Sequence, residues 1–247
     1  MANKQNQRQT AVVTGGSTGI GLAICRSLLA QGYDVVSLAR RKIALDLEGF
    51  RQIAVDLSDA RATQAVALEL AARQPASVIV HNAGATREKL LEDMSLEDLD
   101  ILTHLHLSAA IALAQANLAA MKAAHFGRIV LISSRAMLGL QKRTAYSATK
   151  AGMVGMARTW SLELAPHGIT VNVVAPGPIA DTEMFDRVLG DDQARRERLA
   201  LSIPVRRLGT PADVAHAVDF FVDPRSSFVT GQCLLVCGGA SVSSLSI

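Results

Sequence analysis

Seven short runs of β-branched and other apolar residues recur along the chain, each separated from the next by residues of helical periodicity, and this alternation constrains the fold most. The runs are "AVVTG" from Ala11, "DVVSLA" from Asp34, "RQIAV" from Arg51, "SVIVHNAG" from Ser77, "RIVLISS" from Arg128, "ITVNVVAPG" from Ile169 and "QCLLV" from Gln232. Helical stretches such as "GLAICRSLLAQG", with Gly32 as a C-cap, and "DARATQAVALELAAR" lie between them. A strand followed by a helix and another strand returns in the same direction, by a right-handed crossover that lays the helix on the sheet. The expectation is α/β: a single doubly wound domain over residues 1–247, with about seven parallel strands and helices on both faces. No repeat, linker or low-complexity tract divides it.

A chain of 247 residues with 49% hydrophobic content can bury a substantial core. Its 25 basic and 22 acidic residues are spread along the chain, so no basic stripe points to nucleic acid. Residues 1–9 read as a polar tail, neither signal peptide nor anchor, and no later apolar run is read as long enough to span a membrane, so a cytoplasmic protein is expected. Cys25, Cys233 and Cys237 are too few for a disulfide framework and lack zinc-type companions. All three are expected to be buried packing residues, with no metal site.

"HLHLS" at 104–108 sits in a stretch that reads as one long helix, capped by Ser95 with Asp98 three residues on and running to about residue 124 without proline or glycine. At about 3.6 residues per turn, His104 and His106 point away from each other and cannot clasp one ion. Only one of them can face a given site. Ala109, Ala110, Ala112 and Ala114 on the same helix permit close packing on a sheet or another subunit.

"TGGSTGIG" follows the first strand and opens the first helix, placing Thr14, Gly15, Gly19 and Gly21 in the turn. A missing Cβ lets the backbone approach a pyrophosphate, whose charge a helix N-terminus stabilises. Such a turn is what a Rossmann-type domain would present, and a tight β–α turn without a ligand would show it too. Its glycines are spaced G-x-x-x-G-x-G; with "HNAG" at 81–84, "YSATK" at 146–150, "PGPI" at 176–179 and "TGQ" at 230–232, the chain resembles the short-chain dehydrogenase/reductase family from residue 10 to about 239.

The position where NAD-specific dehydrogenases carry an acid for the ribose 2′-hydroxyl is Ala39, followed by Arg40 and Arg41. A guanidinium binds a 2′-phosphate through paired hydrogen bonds, so the expected cofactor is NADP(H), held by Arg40 with Ser17 as a second contact. The resemblance implies that Asp56 and Leu57 border the adenine and that Asn82, Ala83 and Gly84 border the ribose. It also places Ile20, Pro176, Gly177, Ile179 and Thr182 on the cofactor, Thr182 one position late in "PGPIADT".

Tyr146 and Lys150 are four apart on one helical face. A neighbouring ammonium together with the positive nicotinamide ring is expected to lower the tyrosine pKa, making Tyr146 a general acid for carbonyl reduction and a base for the reverse. By resemblance, Lys150 also holds the nicotinamide ribose. The family's serine is either Ser133 or Ser134; the strand end favours Ser134. By resemblance, the family's fourth residue is an asparagine in the long helix, which sustains a local break in that helix and a water chain to the lysine through which the tyrosine regains its proton, and His106 stands in its place. A neutral imidazole also has one donor and one acceptor and titrates near neutral pH. His106 is thus a relay substitute, a mark of a weaker relay, or a core histidine in a nucleotide-binding protein without catalysis, and His104 is a surface or packing residue.

Residues 180–209 are charged and read as a helical lid carrying specificity. Arg135, Met137, Leu138, Gln141 and Arg143 are candidates to line the substrate pocket, the arginines hinting at an anionic group. The resemblance implies a homotetramer, and Cys237 stands where an aspartate is usual, with no functional account of that change. The reading is an NADPH-dependent oxidoreductase acting on a ketone or aldehyde as small-molecule substrate. Its rivals are a 3-oxoacyl-thioester reductase, an NAD-dependent alcohol dehydrogenase and a non-catalytic nucleotide-binding regulator.

Overall fold

A computed structural model of the chain describes residues 8–43, 47–190 and 192–242. Residues 1–7 of the expected polar tail lie outside the described residues. Among the described residues, β1 (Thr10–Thr14), β2 (Asp34–Ala39), β3 (Phe50–Ala54), β4 (Val78–His81), β5 (Gly127–Ile132), β6 (Ile169–Pro176) and β7 (Cys233–Val236) form one sheet. All its pairings are parallel, in the order β3-β2-β1-β4-β5-β6-β7.

Alternate residues of each strand point to opposite faces, which splits the core in two. Val13, Val35, Val80 and Val130 pack under α1 (Gly19–Ala30) and α8 (Pro211–Val222) through Ile24, Leu28, Val218 and Phe221. Val12, Val36, Ile79 and Ile129 face α2 (Ala60–Arg73), α4 (Ala109–Ala124) and α5 (Thr144–Leu164) through Leu70, Leu113, Met121 and Met153. Gly32 follows α1 with φ 87°, as its expected end requires.

The strand order reverses between β1 and β4, and a crevice opens there at the strands' carboxyl ends. The helix expected from residue 95 to about 124 is interrupted. It consists of α3 (Leu96–Thr103), a π turn at His104–Ser108, and α4. The start is as read: Ser95 and Asp98 exchange both capping-box bonds. At the turn, the Ala109 amide bonds the His104 carbonyl five residues back, one residue more than an α-helix holds.

Leu96–Ala124 is long and apolar enough to cross a membrane, contrary to the expectation that no run reaches that length. Here Leu102, Leu113 and Met121 are core residues of the domain. The cysteine reading also needs correction. Cys25 is buried, but Cys233 and Cys237 are only partly so, because β7 is an edge strand covered from fewer sides.

Candidate active site

Two loops meet at the crevice. In the first, Gly15 and Gly19 take φ of 67° and 51°, and a Cβ on Gly21 would stand 2.1 Å from the Gly15 carbonyl oxygen. Only glycine permits this close turn. In the second, the Asn82 and Ala83 amides donate to the Thr14 hydroxyl at 2.9 and 2.8 Å, and the Asn82 side chain donates back to the Thr14 and Gly15 carbonyls at 3.1 and 3.2 Å. The turns after β1 and β4 are thereby braced as one unit.

A cleft of about 860 Å³ runs across them. Its lining includes Gly15, Ser17, Gly19, Ile20, Gly21, Arg40, Asp56, Leu57, Asn82, Ala83, Gly84, Pro176, Gly177, Ile179 and Thr182 at one end and Ser134, Tyr146 and Lys150 at the other. Thr14 and His106, also expected at the site, lie just behind the wall. Arg40 is exposed and makes no ion pair among the described residues, whereas Arg41 is ion-paired with Glu183 of α6 (Glu183–Leu189). Asp56 accepts from Ser58, whose side chain and amide are the main causes holding its carboxyl low, with Arg40 adding to them. Thr182 caps α6 and lies against Gly19, so it reaches the crevice despite its late position.

At the other end, the two candidate serines part company. Ser133 is buried and donates to the Lys150 backbone carbonyl at 2.8 Å. Ser134 opens to the cleft and faces Tyr146 as a hydrogen-bond partner. Lys150 Nζ donates to the Ile132 carbonyl at 2.7 Å and lies 5.7 Å from the Tyr146 ring centroid. Burial brings the Lys150 ammonium down to about 7. Burial also raises the Tyr146 phenol, against the downward pulls of Ser134 and Arg143. Desolvation is the largest cause and Lys150 is not among the downward pulls, so the lowering expected from the ammonium is not seen in the chain itself.

His106 is buried and its Nδ1 lies 2.8 Å from Thr149 Oγ1, while the Ala85 amide donates to its Nε2 at 3.3 Å. Its ring meets Tyr146 edge-on, with centroids 5.7 Å apart. Burial, followed by Lys150 and His81, holds its pKa well below the ordinary 6.5, so it does not titrate near neutral pH as expected. His104 is exposed, on the other side of the turn.

The described residues of 180–209 carry α6 and α7 (Gln193–Ser202), both of which contribute to the lining of the cleft. The ends are pinned together: the Ala180 amide bonds the Gly209 carbonyl at 2.8 Å and the Gly209 amide the Pro178 carbonyl at 3.0 Å. Of the residues read as substrate-lining, Arg135 and Arg143 reach the cleft. Leu138 and Gln141 are exposed outside it, and Met137 turns toward Ser133 and Cys233. Arg143 pairs with Glu88 at 2.9 Å and Arg135 donates to the Ala240 carbonyl at 3.4 Å, so both are already engaged. Unforeseen from sequence are Arg187 and Arg198 of the lid, which line the mouth, and Met184, whose sulfur is 3.9 Å from the Tyr146 hydroxyl. Only their place in a charged segment signalled them.

A family model described as enoyl-(acyl carrier protein) reductase matches residues 15–241. The chain is 37% identical over 233 residues to the 3-oxoacyl-(acyl-carrier-protein) reductase MabA of Mycobacterium avium, covering 94% of this chain and 89% of that one. The chain belongs to the short-chain dehydrogenase/reductase family.

Two further likenesses bear on this short-chain reductase. It is 35% identical over 238 residues to the 3-oxoacyl-(acyl-carrier-protein) reductase FabG of Escherichia coli, covering 93% and 96% of the two chains. A structure described as an NAD(P)-dependent gluconate 5-dehydrogenase from Beutenbergia cavernae, with NADP at low occupancy, superposes with a TM-score of 0.86 at 33% identity, over 95% and 97% of the chains.

Proposed function

We propose that this enzyme reduces a ketone or aldehyde carbonyl with NADPH, Tyr146 giving its proton to the oxygen that Ser134 holds. The observation that carries this reading is the meeting of Ser134, Tyr146 and Lys150 at one end of a cleft whose other end presents the exposed Arg40. The cofactor is NADP(H), and the chain's residues fit it. The close glycine turn leaves room for a pyrophosphate, and Arg40, with no acid at Ala39, suits a 2′-phosphate. Ser17, Asp56, Leu57, Asn82, Ala83, Gly84, Ile179 and Thr182 would border it along the cleft.

NADPH supplies the hydride when bound. In this direction Tyr146 must keep its proton until the carbonyl oxygen needs it, and burial of the phenol favours that neutral form. Lys150, poised near neutrality, is suited to returning a proton to Tyr146 and to holding the nicotinamide ribose. His106 supports the relay as a fixed neutral ring. The braced turns and the lid orient the substrate and exclude water. The oxygen ends as a hydroxyl, and the reverse reaction oxidises a secondary alcohol.

A second reading, a 3-oxoacyl thioester as substrate, is favoured by the named relatives and by Arg187 and Arg198 at the mouth. We read the enzyme as cytoplasmic, since Leu102, Leu113 and Met121 of the long apolar helix are buried in the domain core. The test is cofactor oxidation over a panel of ketones, aldehydes and acetoacetyl thioesters, with NADPH and NADH in parallel. Turnover with NADPH that Tyr146→Phe lowers by at least about 1,000-fold is expected. NADPH binding without turnover on the whole panel would sink the reading, and thioesters far ahead of simple ketones would select the second.

A further inference from the structure

His81 closes β4, is fully buried (0% exposed), and has both ring nitrogens engaged. Nδ1 lies 3.1 Å from Thr14 Oγ1, and Nε2 lies 3.1 Å from the Leu105 carbonyl oxygen inside the π turn. A carbonyl can only accept, so Nε2 carries the hydrogen and Nδ1 is bare. The Thr14 hydroxyl therefore donates to Nδ1, which leaves its lone pairs for the amides of Asn82 and Ala83. Every group in this chain of bonds has a partner of the right kind.

The same reasoning orients His106. The Ala85 amide can only donate, so His106 Nε2 is bare and Nδ1–H donates to the Thr149 hydroxyl, which in turn donates to the Ala145 and Tyr146 carbonyls at 3.0 and 3.1 Å. The bare Nε2 faces the space beside Gly84, where an added Cβ would stand 3.3 Å from it and 3.5 Å from Lys150 Nζ. That orientation exists only because the helix is interrupted at His104–Ser108. Closing the turn to α geometry would rotate one side against the other by about 100° and take His106 off this line.

We propose that His81 is a positioning residue for the reaction: by holding the Leu105 carbonyl it keeps the π turn that aims His106 at Tyr146 and Lys150, and through Thr14 it ties that turn to the cofactor-binding loops. His81 itself touches neither substrate nor cofactor. The kinetic part of this proposal rests on the reading of Tyr146 and Lys150 given above; the ring geometry does not.

The test begins with NMR of the whole chain labelled with ¹⁵N-histidine. Neutral rings with hydrogen on Nε2 of His81 and on Nδ1 of His106 are expected from about pH 5 to about pH 9. Three variants follow. His81→Gln keeps a donor that reaches Leu105, His81→Asn is too short to reach it, and His81→Leu removes it. In the latter two the His106 signals should move and kcat should fall about tenfold or more, with KM for NADPH changing less. A new limb near neutral pH should accompany the fall, since a loosened His106 meets water as well as Lys150, Tyr146 and His81's replacement. Adding His106→Asn should remove the limb, and His81→Gln should stay within about threefold of the parent. If His81→Leu does not fold, the Gln and Asn variants decide. Hydrogen on Nδ1 of His81, or a folded His81→Asn with unchanged His106 signals, overturns the proposal. A parent enzyme inactive on every carbonyl would instead count against the proposed function, and the NMR comparison would still decide the positioning of His106.

Discussion

Arg40 and Arg41 both line the cleft after β2, but Arg41 is held in an ion pair with Glu183. The two are indistinguishable as letters, and only the approach of α6 commits one and leaves the other for a phosphate. Arg40→Ser should raise KM for NADPH by about 10- to 100-fold, the loss of a charge-assisted bond worth about 1.5–3 kcal/mol, and leave KM for NADH nearly unchanged. Steady-state kinetics with both cofactors checks this; an equal rise for both would assign Arg40 a structural role. The serine pair behaves alike. Counting along the strand left Ser133 and Ser134 open, and the twist at the end of β5 turns one inward to the Lys150 carbonyl and the other toward Tyr146.

The glycine turn and the interrupted helix show opposite degrees of legibility among the elements. At Gly21 the sequence signal is local, because the backbone itself fills the space where a Cβ would be. Gly21→Ala should destabilise the fold by about 1–3 kcal/mol and weaken NADPH binding at least about tenfold, read by denaturant unfolding and by cofactor titration. Gly155→Ala on α5, where nothing stands within 4 Å of the new Cβ, is the matched control and should be neutral or stabilising by about 0.5–1 kcal/mol. The π turn has no such local signal, and only the resemblance, through the family asparagine's place at His106, implied a break. Residues 95–124 contain no proline or glycine and read as one helix, yet His81, distant in sequence, takes the Leu105 carbonyl. The lid was legible as a charged helical segment but its contacts were not, since they depend on where its pinned ends place it.

For the whole molecule, two neutral imidazoles in the interior weaken the fold in acid. Burial holds His81 down to about 3 and His106 well below 6.5, so both native forms stay uncharged where the unfolded chain takes up protons. Their contribution is complete above about pH 6.5 and is lost as pH falls, by about 1.4 kcal/mol per pH unit for each group still neutral in the fold. Unfolding free energies measured from pH 7 to pH 4 should show this slope, and His106→Asn should reduce it by about one proton's worth. Leu162 on α5 and Phe228 before β7 are exposed, and we propose that such apolar surface is covered in the homotetramer that the family resemblance implies. Sedimentation should then give the mass of four chains, and a monomer at working concentration would refute it. By itself the sequence determined the parallel doubly wound sheet, the family and the identity of the chemical groups, because periodicity, glycine spacing and Tyr-x-x-x-Lys are local properties. Only the tertiary structure decided which serine turns toward Tyr146, which arginine is taken by Glu183, how the buried groups are shifted, and that His81 meets the Leu105 carbonyl in the helix break. Those depend on hydrogen bonds and desolvation between segments that meet only when the sheet assembles.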